Sequence, residues 1–158
     1  MKYGSLVFGK DNFEMIQFYY EINETYEDYA HKNTLDVLTE NMSNALVVNA
    51  EDVPEDVVQI YSTITISSTS GWRDIFKLVP PSEKNIRKNK ISVVGTLGAS
   101  IVGLSEGDSI KFGLPGDLIY LTIKKVHTSR KLVKLDISKE KYEEILPNEN
   151  KNLLTLNI

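Results

Sequence analysis

Cysteine is absent from all 158 residues, which excludes disulfides, thiolate metal sites and cysteine nucleophiles together. Histidine occurs only as His31 and His127, neither with a His or Cys companion at ligand spacing, and this speaks against a zinc site. No Gly-x-Ser-x-Gly elbow, P-loop or dinucleotide fingerprint is present, so the sequence points to no cofactor and to no catalytic residue. Ser70-Gly71 and Gly95-Thr96 read as turns rather than as nucleophile positions. No run approaches the roughly 20 apolar residues of a membrane span. The first nine residues lack the apolar stretch of a signal peptide. The expectation is a soluble, cytoplasmic, non-enzymatic protein with no membrane partner.

What is present is ordinary in amount and uneven in placement. Hydrophobic residues make up 41% of the chain and charged residues 25%, enough for one medium domain, or a small domain with an appendage. Residues 1–58 carry three lysines against twelve carboxylates, a net of −9, and the remaining hundred carry a net of +5. The acidic third repels phosphate backbones, so any contact with nucleic acid is expected to be indirect, through a partner. That third either enters a basic cavity, lies near a metal ion, or is a well-solvated helical surface.

Taken in order, residues 3–9 are a short lead-in, with a helix expected over 12–22. Asp11 and Glu14 form a capping pair there, and Phe13, Ile16 and Tyr20 an apolar line. Thr25 and Asp28 offer a second capping pair for a helix over 26–46, striped by Leu35, Leu38, Met42 and Ala45. So short a join folds the two helices back into an antiparallel hairpin whose first arm is about 17 Å long. The connection Glu51-Asp52-Val53-Pro54-Glu55-Asp56 marks a boundary, and the period then changes. Val58, Ile60, Ile64 and Ile66 alternate with polar residues as one half-buried strand. A turn at 68–71 leads to a partner strand over 72–79, with Phe76 and Leu78 as core candidates and Pro80-Pro81 as its stop. A basic loop or single helical turn follows over 82–90.

Next comes a strand around Ile91 and Val93, then a short helix, a Glu106-Gly107-Asp108 turn, and a strand through Ile110 and Phe112. Leu97, Ile101 and Leu104 form the stripe of that helix, while Gly98, Ala99 and Ser100 leave its other side flat enough for close backbone approach. A last strand alternates through Ile119, Leu121 and Ile123 to about Val126. Beyond it, Leu132–Leu135 reads as a strand, Ser138–Leu146 as a short helix, and Leu153–Ile158 as a strand or a loose tail.

One constellation carries potential chemistry, the hairpin tip with Glu21, Glu24, Glu27 and Asp28. Carboxylates there either favour a helix start or help to hold a magnesium ion bound in a partner's active site.

The motifs Pro54-Glu55-Asp56-Val57-Val58, Ile91-Ser92-Val93, Gly98-Ala99-Ser100-Ile101-Val102-Gly103, Glu106-Gly107-Asp108 and Leu114-Pro115-Gly116 occur in an order and spacing that resemble the C-terminal domain of the Gre transcript-cleavage factors. The resemblance is closer to the shorter Rnk-like members, and it implies an α+β fold: an FKBP-like antiparallel sheet packed on a short helix, preceded by a short helical hairpin. It divides the chain into an acidic hairpin over 1–50, a Gre C-terminal-like domain over 51–126 and an extension of unknown role over 127–158. It also implies RNA polymerase as partner, with docking at the secondary channel rim through Val94, Gly95, Thr96 and Leu97. Two departures qualify the likeness. The arms are too short for the reach of a Gre coiled coil, and the family's Asp-Ser-Pro falls on Val94-Gly95-Thr96. The expected function is therefore an Rnk-like polymerase-binding regulator without cleavage stimulation. Cleavage stimulation through the acidic tip is the alternative, and FKBP-like prolyl isomerisation is a more distant one resting on fold alone.

Overall fold

The structure is a computed structural model and describes residues 1–22, 29–113 and 116–128. Strand β1 (Val7–Gly9) leads directly into helix α1 (Lys10–Ile22), and helix α2 (Tyr29–Ser43) returns to strand β2 (Leu46–Val48). β1 and β2 pair in parallel, with Phe8 opposite Val47. The sequence expectation of a helix continuing to residue 46 therefore fails at its end. Val47 and Val48 are β-branched, and the Leu46 amide donates to the Leu6 carbonyl at 2.9 Å, which commits the segment to a strand. Helix α1 also starts two residues early, placing Asp11 inside the first turn, where it accepts a hydrogen bond from the Asn12 side-chain amide at 3.3 Å. The Thr25–Asp28 capping pair lies outside the described residues.

The larger sheet has five strands in the order β5-β4-β3-β7-β6. They are β3 (Thr63–Ser68), β4 (Arg73–Val79), β5 (Lys90–Ser92), β6 (Ser109–Phe112) and β7 (Ile119–His127). Three pairings are antiparallel, as expected, but β5 runs parallel to β4. Pro80-Pro81 and two single 3-10 turns, Pro81–Glu83 and Ile86–Lys88, carry the chain back so that β5 leaves in the direction of β4.

The long strand expected to begin near Val58 begins at Thr63 instead. Residues 58–62 bury Val58 and Ile60, but their amides find partners outside any ladder. The Gln59 amide donates to Ser62 Oγ at 2.9 Å, and the Ile60 amide to Asn12 Oδ1 at 2.8 Å. Tyr61 adopts a φ of 75°, which a β-strand forbids. The alternating apolar residues are buried as expected, but Gln59, Tyr61 and Ser62 between them are buried as well, so the segment is an irregular stretch enclosed on both sides rather than a half-buried strand.

Gln59 is 4% exposed and its side chain acts as a clamp. Its Oε1 accepts from the Gly9 amide at 3.0 Å, while Nε2 donates to the carbonyls of Val7 at 2.9 Å and Val58 at 2.8 Å. With Asn12 it supplies the polar groups that β1 and the start of α1 need where water is excluded. The bases of the two helices share the core of the sheet: Ile16, Leu35, Leu38 and Met42 join Ile64, Ile66, Leu78 and Ile123 in one apolar cluster.

Helix α3 (Thr96–Ile101) lies against the inner side of the sheet. Its buried residues are Gly98, Ala99 and Ile101, whereas Leu97 is half-buried and Leu104 is buried beyond the helix end. The small-residue side therefore faces inward. A Cβ on Gly98 would sit 2.0 Å from the Ser92 carbonyl oxygen, so only glycine lets α3 lie this close to the end of β5. On β4 the buried residues are Leu78 and Val79, and Phe76 is half-buried. The register between β3 and β7 shifts at Thr65/Ile66; this bulge keeps both Ile123 and Val126 inward and leaves Lys124 and Lys125 exposed between them.

Candidate functional site

The segment between β5 and α3 is organised by Ser92. Its Oγ accepts from the Val94 amide at 3.2 Å and its carbonyl from the Gly95 amide at 3.0 Å. Gly95 then serves as the N-cap with extended φ and ψ and no side-chain cap, and its carbonyl takes the Ala99 amide at 2.8 Å. Ser100 Oγ closes the first turn by donating to the Thr96 carbonyl at 2.7 Å. Of the four expected docking residues, Val94 is only 7% exposed and belongs to the core, so its side chain offers nothing to a partner. Gly95, Thr96 and Leu97 are half-buried and form the outward part of the loop. Ser92 was missed as a positioning residue; the available signal was a lone buried-strand serine placed directly before Val93-Val94-Gly95.

The hairpin carries the second expected site. Glu21 is exposed in the last turn of α1, while Glu24, Glu27 and Asp28 lie outside the described residues. Tyr20 donates from its hydroxyl to Asp36 Oδ1 at 3.1 Å, which ties α1 to α2 and uses one of the hairpin's carboxylates in a structural bond. Among the described residues no group of three or more His, Cys, Asp or Glu side chains is placed to hold a metal ion. No described helix is long and apolar enough to cross a membrane.

A third polar group fastens the N-terminal residues to the end of the boundary segment and to the Glu106-Gly107-Asp108 turn. The Lys2 ammonium pairs with Asp56, the Tyr3 hydroxyl donates to Asp56 Oδ1 at 2.8 Å, and the Lys2 amide donates to Asp108 Oδ1 at 2.9 Å. Burial would push the Asp56 carboxyl up, but the hydrogen bonds from Lys2 and Tyr3 outweigh it and hold the carboxyl below its ordinary value. The Asp56 hydrogen bond likewise holds the Lys2 ammonium above its ordinary value.

A curled five-stranded sheet closed on one side by a short helix is an FKBP-like α+β domain, the fold class expected from the sequence. Residues 53–128, just under half of the chain, match the family model described as "Transcription elongation factor, GreA/GreB, C-term", so this segment is a Gre C-terminal-like domain. The chain is 33% identical over 85 residues to the transcription elongation factor GreA of Syntrophus aciditrophicus, covering 53% of each chain. It is also 33% identical over 89 residues to the regulator of nucleoside diphosphate kinase of Escherichia coli (strain K12), covering 56% of this chain and 65% of that one. These matches therefore span between half and two thirds of the relatives' own lengths. In three dimensions it resembles the prokaryotic transcription elongation factor GreA/GreB from Nitrosomonas europaea with a TM-score of 0.62 and 25% identity, over 78% of this chain and 98% of that one.

Proposed function

We propose that this chain is a Gre-related transcription regulator that binds RNA polymerase and acts without stimulating transcript cleavage. The match of residues 53–128 to the GreA/GreB C-terminal domain carries the reading. Docking is at the rim of the secondary channel, through the outward part of the α3 loop. Gly95, Thr96 and Leu97 make the contact, and Val94 and Ser92 hold its shape from inside. The loop has neither a charge nor a proline, so its contacts are shape and backbone contacts rather than ion pairs.

The length of the hairpin supports a role at the channel mouth. Helix α1 has 13 residues, about 20 Å at the α-helical rise. An arm of that length holds Glu21, in the last turn of α1, near the entrance, where it acts by its charge on what passes, not as a ligand to a deeply set metal ion. Retention of the protein on immobilised core polymerase at low salt is the test, with Leu97→Ala expected to weaken retention and no retention of the native chain overturning the proposal. Backtracked elongation complexes incubated with the protein are expected to keep their transcripts intact. Release of short 3′ RNA fragments would replace this reading with cleavage stimulation.

A further inference from the structure

The two faces of the five-stranded sheet can be read from its register. Ile64 and Ile66 point inward, so Thr63, Thr65 and Ser67 mark the outer face. Residues paired across from these share that face: Lys77 and His127 beside Thr63, Ile75 and Lys125 beside Thr65, and Arg73 and Thr122 beside Ser67. Further out, Lys90 pairs with Lys77, and Tyr120 pairs with Lys111. The bulge adds Lys124 as an exposed neighbour of Lys125. The outer face thus collects six cations, and its registered positions contain no carboxylate. Among the described residues no carboxylate forms an ion pair with any of these six.

Two side chains among the cations are apolar and exposed, Ile75 at 52% and Tyr120 at 48%. The Lys111 ammonium lies 5.8 Å from the Tyr120 ring centroid, which sets a cation beside an exposed π-face. Between them run hydroxyl groups; Ser109 and Thr122 share a hydrogen bond of 2.8 Å at the β6 side. The acidic helices do not share this surface. α2 packs with α3, and α3 closes the inner face against Leu78, so the sheet stands between the carboxylates and the cations.

We propose that this outer face binds single-stranded nucleic acid. Its cations take the phosphates, its hydroxyls donate to phosphate and sugar oxygens, and Tyr120 stacks on a base. Five strands at about 4.8 Å spacing give a platform about 19 Å across, open enough for several nucleotides. An acidic polypeptide would satisfy the cations but would leave the exposed ring without a stacking partner, and the ring therefore decides between the two. This revises the expectation that nucleic acid is reached only through a partner, and it does not depend on polymerase binding.

The test is fluorescence anisotropy of the full chain with a labelled 16-nucleotide oligo-dT and oligo-U at about 50 mM salt. Binding is expected with a Kd of about 1 to 100 μM, and log K should fall with log salt at a slope of about −0.7 per phosphate engaged. The double variant Lys77→Gln/Lys125→Gln should bind about tenfold or more weakly with a shallower salt slope. Tyr120→Ala should bind about fivefold or more weakly with an unchanged slope, a split that loss of charge alone cannot produce. Lys10→Gln, on α1 and away from the face, should bind like the native chain. Circular dichroism of each variant must match the native spectrum. Absence of binding at 50 mM salt would overturn the proposal, as would equal weakening by Lys10→Gln. A duplex bound as tightly as the single strand would overturn the single-strand assignment, and polyglutamate binding in place of the oligonucleotide would assign the face to an acidic polypeptide.

Discussion

The inner and outer faces of the five-stranded sheet come from the same strands and share none of the same physics. Inward, Ile64, Ile66, Leu78, Leu121 and Ile123 are essentially dry and meet α3 and the bases of the two helices. Outward, Lys111, Lys124, Lys125, Arg73 and Tyr120 are exposed around half-buried hydroxyl residues and a buried Thr65. Stability is concentrated on the first face and the proposed recognition on the second. Alternation along the strands separates the two, and one bulge in β7 keeps them separate where the alternation would otherwise slip.

The sharpest way to break this comparison is on the inner face. Ile66→Ala removes a fully buried side chain from the central strand and should cost about 4 kcal/mol in urea unfolding. Gly98→Ala drives a methyl into the Ser92 carbonyl, so α3 must lift from β5, and about 3 kcal/mol should be lost. The same variant should weaken retention on polymerase, because the loop proposed for docking hangs from that contact. Gln59→Leu tests whether a polar group on the dry side matters as much as an apolar one. It leaves the Gly9 amide and the Val7 carbonyl without the partner they now have, and should cost about 2 kcal/mol by the same measurement.

On the outer face, Lys125→Gln should change the urea midpoint by less than about 0.5 kcal/mol equivalent, and a larger change would show that the face is structural. The smallest effect is expected at Asp56, whose folded-state carboxyl lies below its ordinary value of 3.8. Its contribution is present above that value and lost as pH falls through the depressed one. Native and Asp56→Asn urea midpoints should therefore differ slightly near neutral pH and converge as pH drops below about 4.

How far the sequence foretold this molecule depends on what each signal measures. Period-two alternation located β3, β4 and β7, and the run of Gly98, Ala99 and Ser100 announced the close approach that α3 makes. Over residues 58–62 the same alternation misled, because the side chains of Ser62 and Asn12 took the amides of Gln59 and Ile60 and Tyr61 turned to a positive φ, and no local pattern announces that. The loop proposed for docking lies between β5 and α3 as expected, but its orientation was not legible: Val94 looks like any exposed valine until Ser92 is seen to pull the chain inward. The outer cations were each visible, yet only strand register puts Lys77, Lys90 and Lys125 on one side. The direction of β5 was illegible for a similar reason, since two prolines stop a strand without saying which way the next one runs.

The placement of β7 bears on how the chain folds. The last described strand lies inside the sheet between β3 and β6, pairing with β3 from Thr63↔His127 to Ser68↔Leu121, whereas the β3–β4 hairpin closes locally. During synthesis the hairpin can form as soon as Val79 has emerged, but one long edge of β3 stays open for about forty more residues. That open, β-branched edge is a template for pairing with another chain. Folding is then paced by a non-local closure, and a chain halted before Ile119 should aggregate where the complete sheet would not.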